Sequence, residues 1–395
     1  MNNKLQTIYL RLCTVTVFAD VIEKSLFQRF FAYMRVDKTD GAEKRKAYSA
    51  FVKEIYEGGG VLTALTEKLV SEDENVYVKR VAAKLPVNEN VVQSAKRELE
   101  IFTAFACLTP VDFAEDMQVS AEELPQFDAF VKYLGGVYEE RLQNIGKYGY
   151  GIFSGYGMFR LSDSGEIEPI VSADKTTMAQ FIGYEQERGQ VVANTQMFVE
   201  NRPAANVLLC GDAGAGKSST VKAVANAFFK EGVRLIELRK DQLRYLPYVM
   251  GKVSGNPLKF IIFIDDLAFN KSDDNFSMLK AALEGSASAK ADNAVIYATS
   301  NRRHIIKESF GDRDGDDVHR NDTLQETLSL SERFGLVVLF SKPDRKLYLE
   351  IVRQLAERCG VQMDSKELEI KAEAFALKKG NRSARCAEQF IQSLL

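Results

Sequence analysis

The sequence predicts an α/β protein in three parts: a parallel five-stranded sheet covered by helices on both faces, a mostly helical region before it, and a small helical lid after it. Three observations carry this. From about residue 179 short β-rich runs, "NVLLC", "VRLIEL", "KFIIFIDDL", "AVIYATSN" and "LVVLF", are separated by helical segments. Alternation of that kind builds parallel sheets, whose strands are buried on both faces and read as apolar runs. Up to about residue 145 the apolar spacing is helical instead, and after "SKPD" it becomes helical again.

In the first part, "VVQSAKRELEIFTAFACL" puts Val92, Ala95, Leu99, Phe102 and Ala106 on one helical face, and "AEELPQFDAFVKYLGGVYEERLQNI" continues in the same manner. "EGGG" at 57–60 marks a break. Residues 146–171, "GKYGYGIFSGYGMFRLSDSGEIEPIV", are rich in glycine and aromatics with short β-like runs. Gly149, Gly151 and Gly155 do not give the G-x-G-x-x-G spacing of a dinucleotide turn, so a hairpin or connector is expected. Three final helical segments start near Asp344, Asp364 and Ser383, each of an N-cap type. The expected boundaries are 1–145 for the helical N-terminal domain, 146–178 for the connector, 179–341 for the α/β core and 342–395 for the lid.

Composition narrows the function. The 395 residues are 46 % hydrophobic and 27 % charged, ample for real cores. A net charge of −3 advertises neither a nucleic-acid nor an anionic-membrane binder. The N-terminal apolar stretch is interrupted by Arg11, Asp20 and Glu23, and no window suits a membrane span, so a cytoplasmic location is expected. Five cysteines without a C-x-x-C pair and two histidines, His304 and His319, argue against disulfide frameworks, zinc sites and histidine-based catalysis.

The strongest chemical signal is "NVLLCGDAGAGKSSTVKAVANAFF". It holds G-x-x-x-x-G-K-S from Gly211 to Ser218, after an apolar strand and before an amphipathic helix with Val221, Val224, Ala225, Phe228 and Phe229 on one face. This P-loop predicts a cradle for ATP phosphates formed by Gly211, Asp212, Ala213, Gly214, Ala215, Gly216, Lys217, Ser218 and Ser219. Small residues let backbone N–H groups wrap the phosphates at a helix N-terminus. Lys217 reaches the β/γ-phosphates and the Ser218 hydroxyl ligates Mg²⁺. "FIIFIDDL" supplies the other half: Asp265, at a strand end, for the metal, and Asp266 for the attacking water. In most ATP-hydrolysing P-loop machines this second acid is a glutamate, so a working but slow ATPase is expected.

Two more groups separate an oligomeric ATPase from a small-molecule kinase, which would need an acceptor pocket and usually an arginine-bearing lid inserted in the core. "AVIYATSNRRH" ends a strand at Ser300 and Asn301, whose amide can hold the attacking water. "SLSERFGLVVLF" places Arg333 just before the last strand, where it can reach a neighbouring subunit's γ-phosphate.

Together, "GYEQERGQVVANTQMF", "GDAGAGKSS", "KFIIFIDDLAF", "LKAALEG", "YATSNRRH", "LSLSERFG" and "GNRSARCAEQF" resemble a bacterial family of uncharacterised AAA+ ATP-binding proteins. "IDDLAF" and "SERFG" also resemble motifs of replication initiators and helicase loaders. The resemblance implies an α/β P-loop NTPase of AAA+ type with ATP and Mg²⁺ as cofactors. It makes Asp266 the water-activating acid, Asn301 the first sensor, Arg333 an arginine finger acting in trans within a homo-oligomer, and Arg382 the lid sensor, with Arg385 as rival. The implied partner is a protein client whose identity the sequence does not disclose. A nucleic-acid accessory role is the less favoured alternative, and a non-hydrolysing nucleotide switch is another. "GDRDGDDVHRND" (311–322) lacks the glycine and glutamate positions of a calcium loop, and "RRH" (302–304) reads as a polar surface cluster.

Overall fold

Runs dominated by valine, isoleucine, leucine and phenylalanine read as strands covered on both sides. In the computed structural model all five expected runs form strands; the first four are buried along nearly their whole length, whereas Val337 and Leu339 of the last are exposed. The structure describes residues 3–37, 39–267, 278, 279, 283, 291–301 and 333–395. Contacts divide the chain into Met1–Gly155 and Tyr156–Leu395.

In the second unit the described strands are β1 (Met158–Leu161), β2 (Ile167–Pro169), β3 (Val207–Gly211), β4 (Val233–Leu238), β5 (Lys259–Ile264), β6 (Ala294–Ser300) and β7 (Leu336–Phe340). They form one sheet in the order β2-β1-β4-β5-β6-β3-β7. β3 to β7 are the five expected strands, and they pair in parallel. Two more come from the glycine- and aromatic-rich stretch. β1 adds in parallel to β4, and β2 folds back antiparallel on β1. Residues 156–171 thus extend the sheet, while 146–155 pack with the helical unit.

Because β3, β5 and β6 are parallel, their carboxyl ends share one edge of the sheet, where ligands of open α/β folds bind. Register completes the alignment: Cys210 pairs with Ser300, and Ile264 with Ala298. The helix Glu185–Val199 is held against the sheet by side chains, near the amino end of β3. Asn194 Nδ2 donates to Tyr297 Oη (3.1 Å) and Ala205 O (2.9 Å), and Thr195 Oγ1 lies 2.7 Å from Tyr297 Oη. The lid is three helices, Arg345–Arg358, Ser365–Lys379 and Ala384–Gln392. Asp344, Asp364 and Ser383 cap them, each side chain accepting from backbone N–H groups of the first turn. A parallel sheet with a glycine loop between β3 and the helix that follows is the P-loop arrangement expected from the sequence.

The first unit is helical, with a core dominated by phenylalanine. Phe27, Phe30, Phe51, Phe102, Phe105 and Phe113 are fully buried and meet mostly edge to face. In the helix Glu89–Ala106 the expected face is buried at Ala95, Leu99, Phe102 and Ala106. Glu98 is buried there too, its carboxylate accepting from the backbone N–H groups of Thr16, Val17 and Phe18. The helix Gly41–Glu57 stops at the predicted glycines, and Gly59 and Gly60 follow with φ of 102° and 85°. Among the described residues no helix is long and apolar enough to cross a membrane.

Candidate active site

The loop after β3 turns through three glycines with positive φ: Gly211, Gly214 and Gly216. At Gly211 the requirement is steric as well, since a Cβ would fall 1.9 Å from Phe340 O on the neighbouring strand. Gly216 precedes the helix Lys217–Ala227, whose Val221, Val224 and Ala225 bury the expected face, with Phe228 buried beside them. The helix therefore stays fixed against the sheet with its N-terminus at the loop.

Lys217 is 5 % exposed. An ammonium has three donors, and all three are used: Gly211 O (2.8 Å), Asp212 O (2.8 Å) and Asn301 Oδ1 (2.9 Å). Burial lowers its pKa, and the nearby Asp212, Asp265 and Asp266 pull it back up. The amide of Asn301 then has only one consistent orientation. Its oxygen faces the lysine and its Nδ2 donates to Asp266 Oδ1 at 2.7 Å. Lysine, amide and second acid form one chain.

A second group centres on Asp265. Its Oδ1 accepts from Ser218 Oγ (2.6 Å), Thr299 Oγ1 (2.5 Å) and the Asp266 N–H (3.1 Å). Thr299 Oγ1 also accepts from the Asp266 N–H at 3.0 Å. One hydroxyl thus ties the ends of β5 and β6 together. One carboxylate beside one hydroxyl is the protein share of a typical Mg²⁺ site, whose remaining ligands are phosphate and water, so the donor set fits that ion. These groups line a cavity of about 260 Å³ together with Ala213, Gly216 and Arg385.

Beyond Gly214 and Gly216 lies a second cavity of about 140 Å³, walled by Phe181, Ile182, Ile351, Leu355 and Ala384. The linker before Glu185 and the lid meet here. Arg358 donates to Gln180 O (2.7 Å) and Ala179 O (3.1 Å), and Gly183 packs against Leu347.

The structure thus brings together Gly211 to Ser219, Asp265, Asp266 and Asn301 at one edge. It does not bring Arg382 there. That guanidinium is paired with Glu373 inside the lid, at 2.7 and 3.2 Å. Its rival Arg385 lines both cavities, and its backbone N–H donates to Gly214 O (3.4 Å). Arg333 is half-buried just ahead of β7 and lines neither cavity. Cys210 is packed in the strand, its thiol pushed up to about 11 by burial, which leaves it protonated. The segments 302–304 and 311–322 lie outside the described residues.

Sequence reasoning missed Thr299 and Arg188. Thr299 is a β-branched residue inside an apolar strand, and only its register opposite Asp265 marks it. Arg188 left a fainter signal: it stands three residues before Val191 and ten before Phe198 on the buried face of its helix.

The family model described as "Protein of unknown function (DUF815)" matches residues 155–395. The chain belongs to the DUF815 family. The match covers the whole α/β unit and lid, so every residue of both cavities falls within the DUF815 region. No curated protein matches the chain. Similar solved structures include the Thermotoga maritima RuvB Holliday junction branch migration motor, at 14 % identity over 55 % of this chain and 72 % of that one, TM-score 0.34. Two RuvB mutants cover the same shares, at 14 % and 13 % identity with TM-scores of 0.35 and 0.34.

Proposed function

We propose that this DUF815 member hydrolyses ATP with Mg²⁺ at the first cavity, and that the cycle moves the lid to act on a macromolecular partner. The observation that carries the reading is the chain Lys217–Asn301–Asp266 lying beside the Ser218–Asp265 pair. Lys217 and the loop backbone hold the phosphates, and Ser218 and Asp265 hold the metal. Bound there, Mg²⁺ neutralises phosphate charge. Asp266 accepts the proton of the attacking water, and Asn301 fixes the carboxylate that does so. Arg385, from the lid, faces the phosphates and takes the lid-sensor role in place of Arg382. Arg333, away from both cavities, serves a neighbouring copy in a homo-oligomer, with a protein client favoured over nucleic acid by the net charge of −3.

Steady-state phosphate release from Mg–ATP as a function of protein concentration tests this. Activity per molecule should rise with concentration. Lys217→Ala should abolish nucleotide binding, and Arg333→Ala should keep binding while lowering turnover by about 10³- to 10⁵-fold. ATP binding without phosphate release at any concentration would leave a nucleotide switch. Equal loss of binding and turnover in Arg333→Ala would remove the in-trans role.

A further inference from the structure

The turn that carries both acids is gripped by the end of β6. The Leu267 N–H donates to Thr299 O at 2.7 Å, and Ser300 Oγ donates to Leu267 O at 2.8 Å. Those two bonds fasten the backbone just beyond the acids. The Thr299 hydroxyl acts on the acids themselves, donating to Asp265 Oδ1 at 2.5 Å and accepting from the Asp266 N–H at 3.0 Å. Thr299 is 1 % exposed. A β-branched side chain is stiff at χ1, so the hydroxyl stays where the strand puts it.

The load on Asp265 is lopsided. Its Oδ1 accepts from Ser218 Oγ, Thr299 Oγ1 and the Asp266 N–H, whereas Oδ2 has no hydrogen bond among the described residues. Oδ2 is not sealed, and Asp265 lines the first cavity. The last torsion of an aspartate is broad and roughly two-fold, so its two oxygens can exchange places. Three donors gathered on one oxygen oppose that exchange and leave the other for a ligand. Of the two hydroxyls involved, Ser218 is itself assigned to the metal. Thr299 is not, and its proton remains committed to the carboxylate.

A hydroxyl has one proton to give and lone pairs to accept with. Because the Thr299 proton goes to Asp265, a lone pair is left for the Asp266 N–H, in the turn where Asp266 has φ of 52°. A valine of the same shape supplies neither bond.

We propose that Thr299 is a positioning residue of the hydrolytic site: through its hydroxyl it presents Asp265 Oδ2 to the metal and sets the turn from which Asp266 meets the attacking water. This rests on the reading that Ser218 and Asp265 hold Mg²⁺ and that Asp266 takes the proton of the water. Thr299 touches no reacting atom and acts through the two acids.

Binding of a β,γ-imido ATP analogue to the full-length protein, titrated with Mg²⁺ after treatment with EDTA, reads the metal without turnover. In Thr299→Val the Mg²⁺ concentration at half-effect should rise about 10- to 100-fold, the usual loss when the partner that orients a metal ligand is removed. Analogue binding in EDTA should stay as in wild type. Phosphate release should show kcat lowered by about 10²-fold, as for a small misplacement of a reacting group, with KM at saturating Mg²⁺ nearly unchanged. Thr299→Ser should restore both. Ser300→Ala loosens the same turn without touching either acid, so it should lower the melting temperature and keep the wild-type Mg²⁺ response. Thr299→Ala adds no atom that could clash and takes the place of Thr299→Val should that variant not fold. A wild-type Mg²⁺ midpoint in either hydroxyl-free variant would overturn the proposal. So would a Thr299→Ser protein as impaired as Thr299→Val, or a Ser300→Ala protein with the same Mg²⁺ shift. Analogue binding by the wild type that ignores Mg²⁺ would sink the metal reading beneath it, whereas an unshifted midpoint in the variants sinks the positioning role alone.

Discussion

Asp266 stands in left-handed backbone, with φ of 52°. Side chains other than glycine pay about 1–2 kcal/mol for that conformation, and aspartate and asparagine tolerate it best because a short polar group can bond locally. The turn is held in place by two bonds from the Asp266 N–H, to Asp265 and Thr299. The shorter acid is therefore matched to the backbone it sits on. Asp266→Glu should lower the melting temperature, by the equivalent of about 1 kcal/mol, without raising phosphate release. Asp266→Asn should keep ATP binding and cut turnover by about 10²- to 10⁴-fold, the usual share of a general base. An Asp266→Glu protein that is faster and equally stable would refute the match. Residues also show where sequence reading stops. Arg382 and Arg385 are both basic and three positions apart, and local spacing does not choose between them. Their different places are set by Glu373 on another lid helix, which takes Arg382, and by Gly214, against which Arg385 packs.

Among elements, β3 and the loop after it are the least replaceable. Gly211→Ala would drive a Cβ into the Phe340 carbonyl at a φ of 137°, where side chains are strained in any case. The variant should unfold several degrees lower, or accumulate as insoluble protein, and should lose nucleotide binding; a thermal melt unchanged from wild type would contradict the β3–β7 register. The five long strands and the three capped lid helices were legible because their signals are local: apolar runs, and Asp or Ser one residue ahead of a helix. β1 and β2, four and three residues long, were expected as a hairpin or connector but not as part of the main sheet. That place follows from the pairing of β1 with β4, far along the chain, which no local pattern records. Glu98 was hidden for the same reason. A charge on an apolar face reads as an interruption until the N–H groups of residues 16–18 are brought to it.

For the whole molecule, the helical unit carries a pH dependence of its own. Asp73 is 6 % exposed, and burial raises its pKa to about 6, against the Asn75 amide hydrogen bond and Lys24, which lower it, and with Asp20, which raises it further. An acid with a raised folded pKa makes the folded state the better proton binder. Its contribution is full below about pH 4, falls as pH rises toward 6, and is lost above, a swing of about 3 kcal/mol. Asp73→Asn should raise the melting temperature at pH 7 and leave it nearly unchanged at pH 4; equal shifts at both values would refute the assignment. In the α/β unit a different coupling is built in. The linker at 179–184 and the lid helix Arg345–Arg358 grip each other through one arginine and one glycine contact, with a cavity between them. Under the proposed reading the nucleotide is the mortar in that joint, touching both stones. Its binding free energy adds to their adhesion, by about 2.7 kcal/mol when ligand stands at a hundred times its Kd. Emptying the joint withdraws that contribution, so the strength with which the lid clings becomes a gauge of how much nucleotide surrounds the protein.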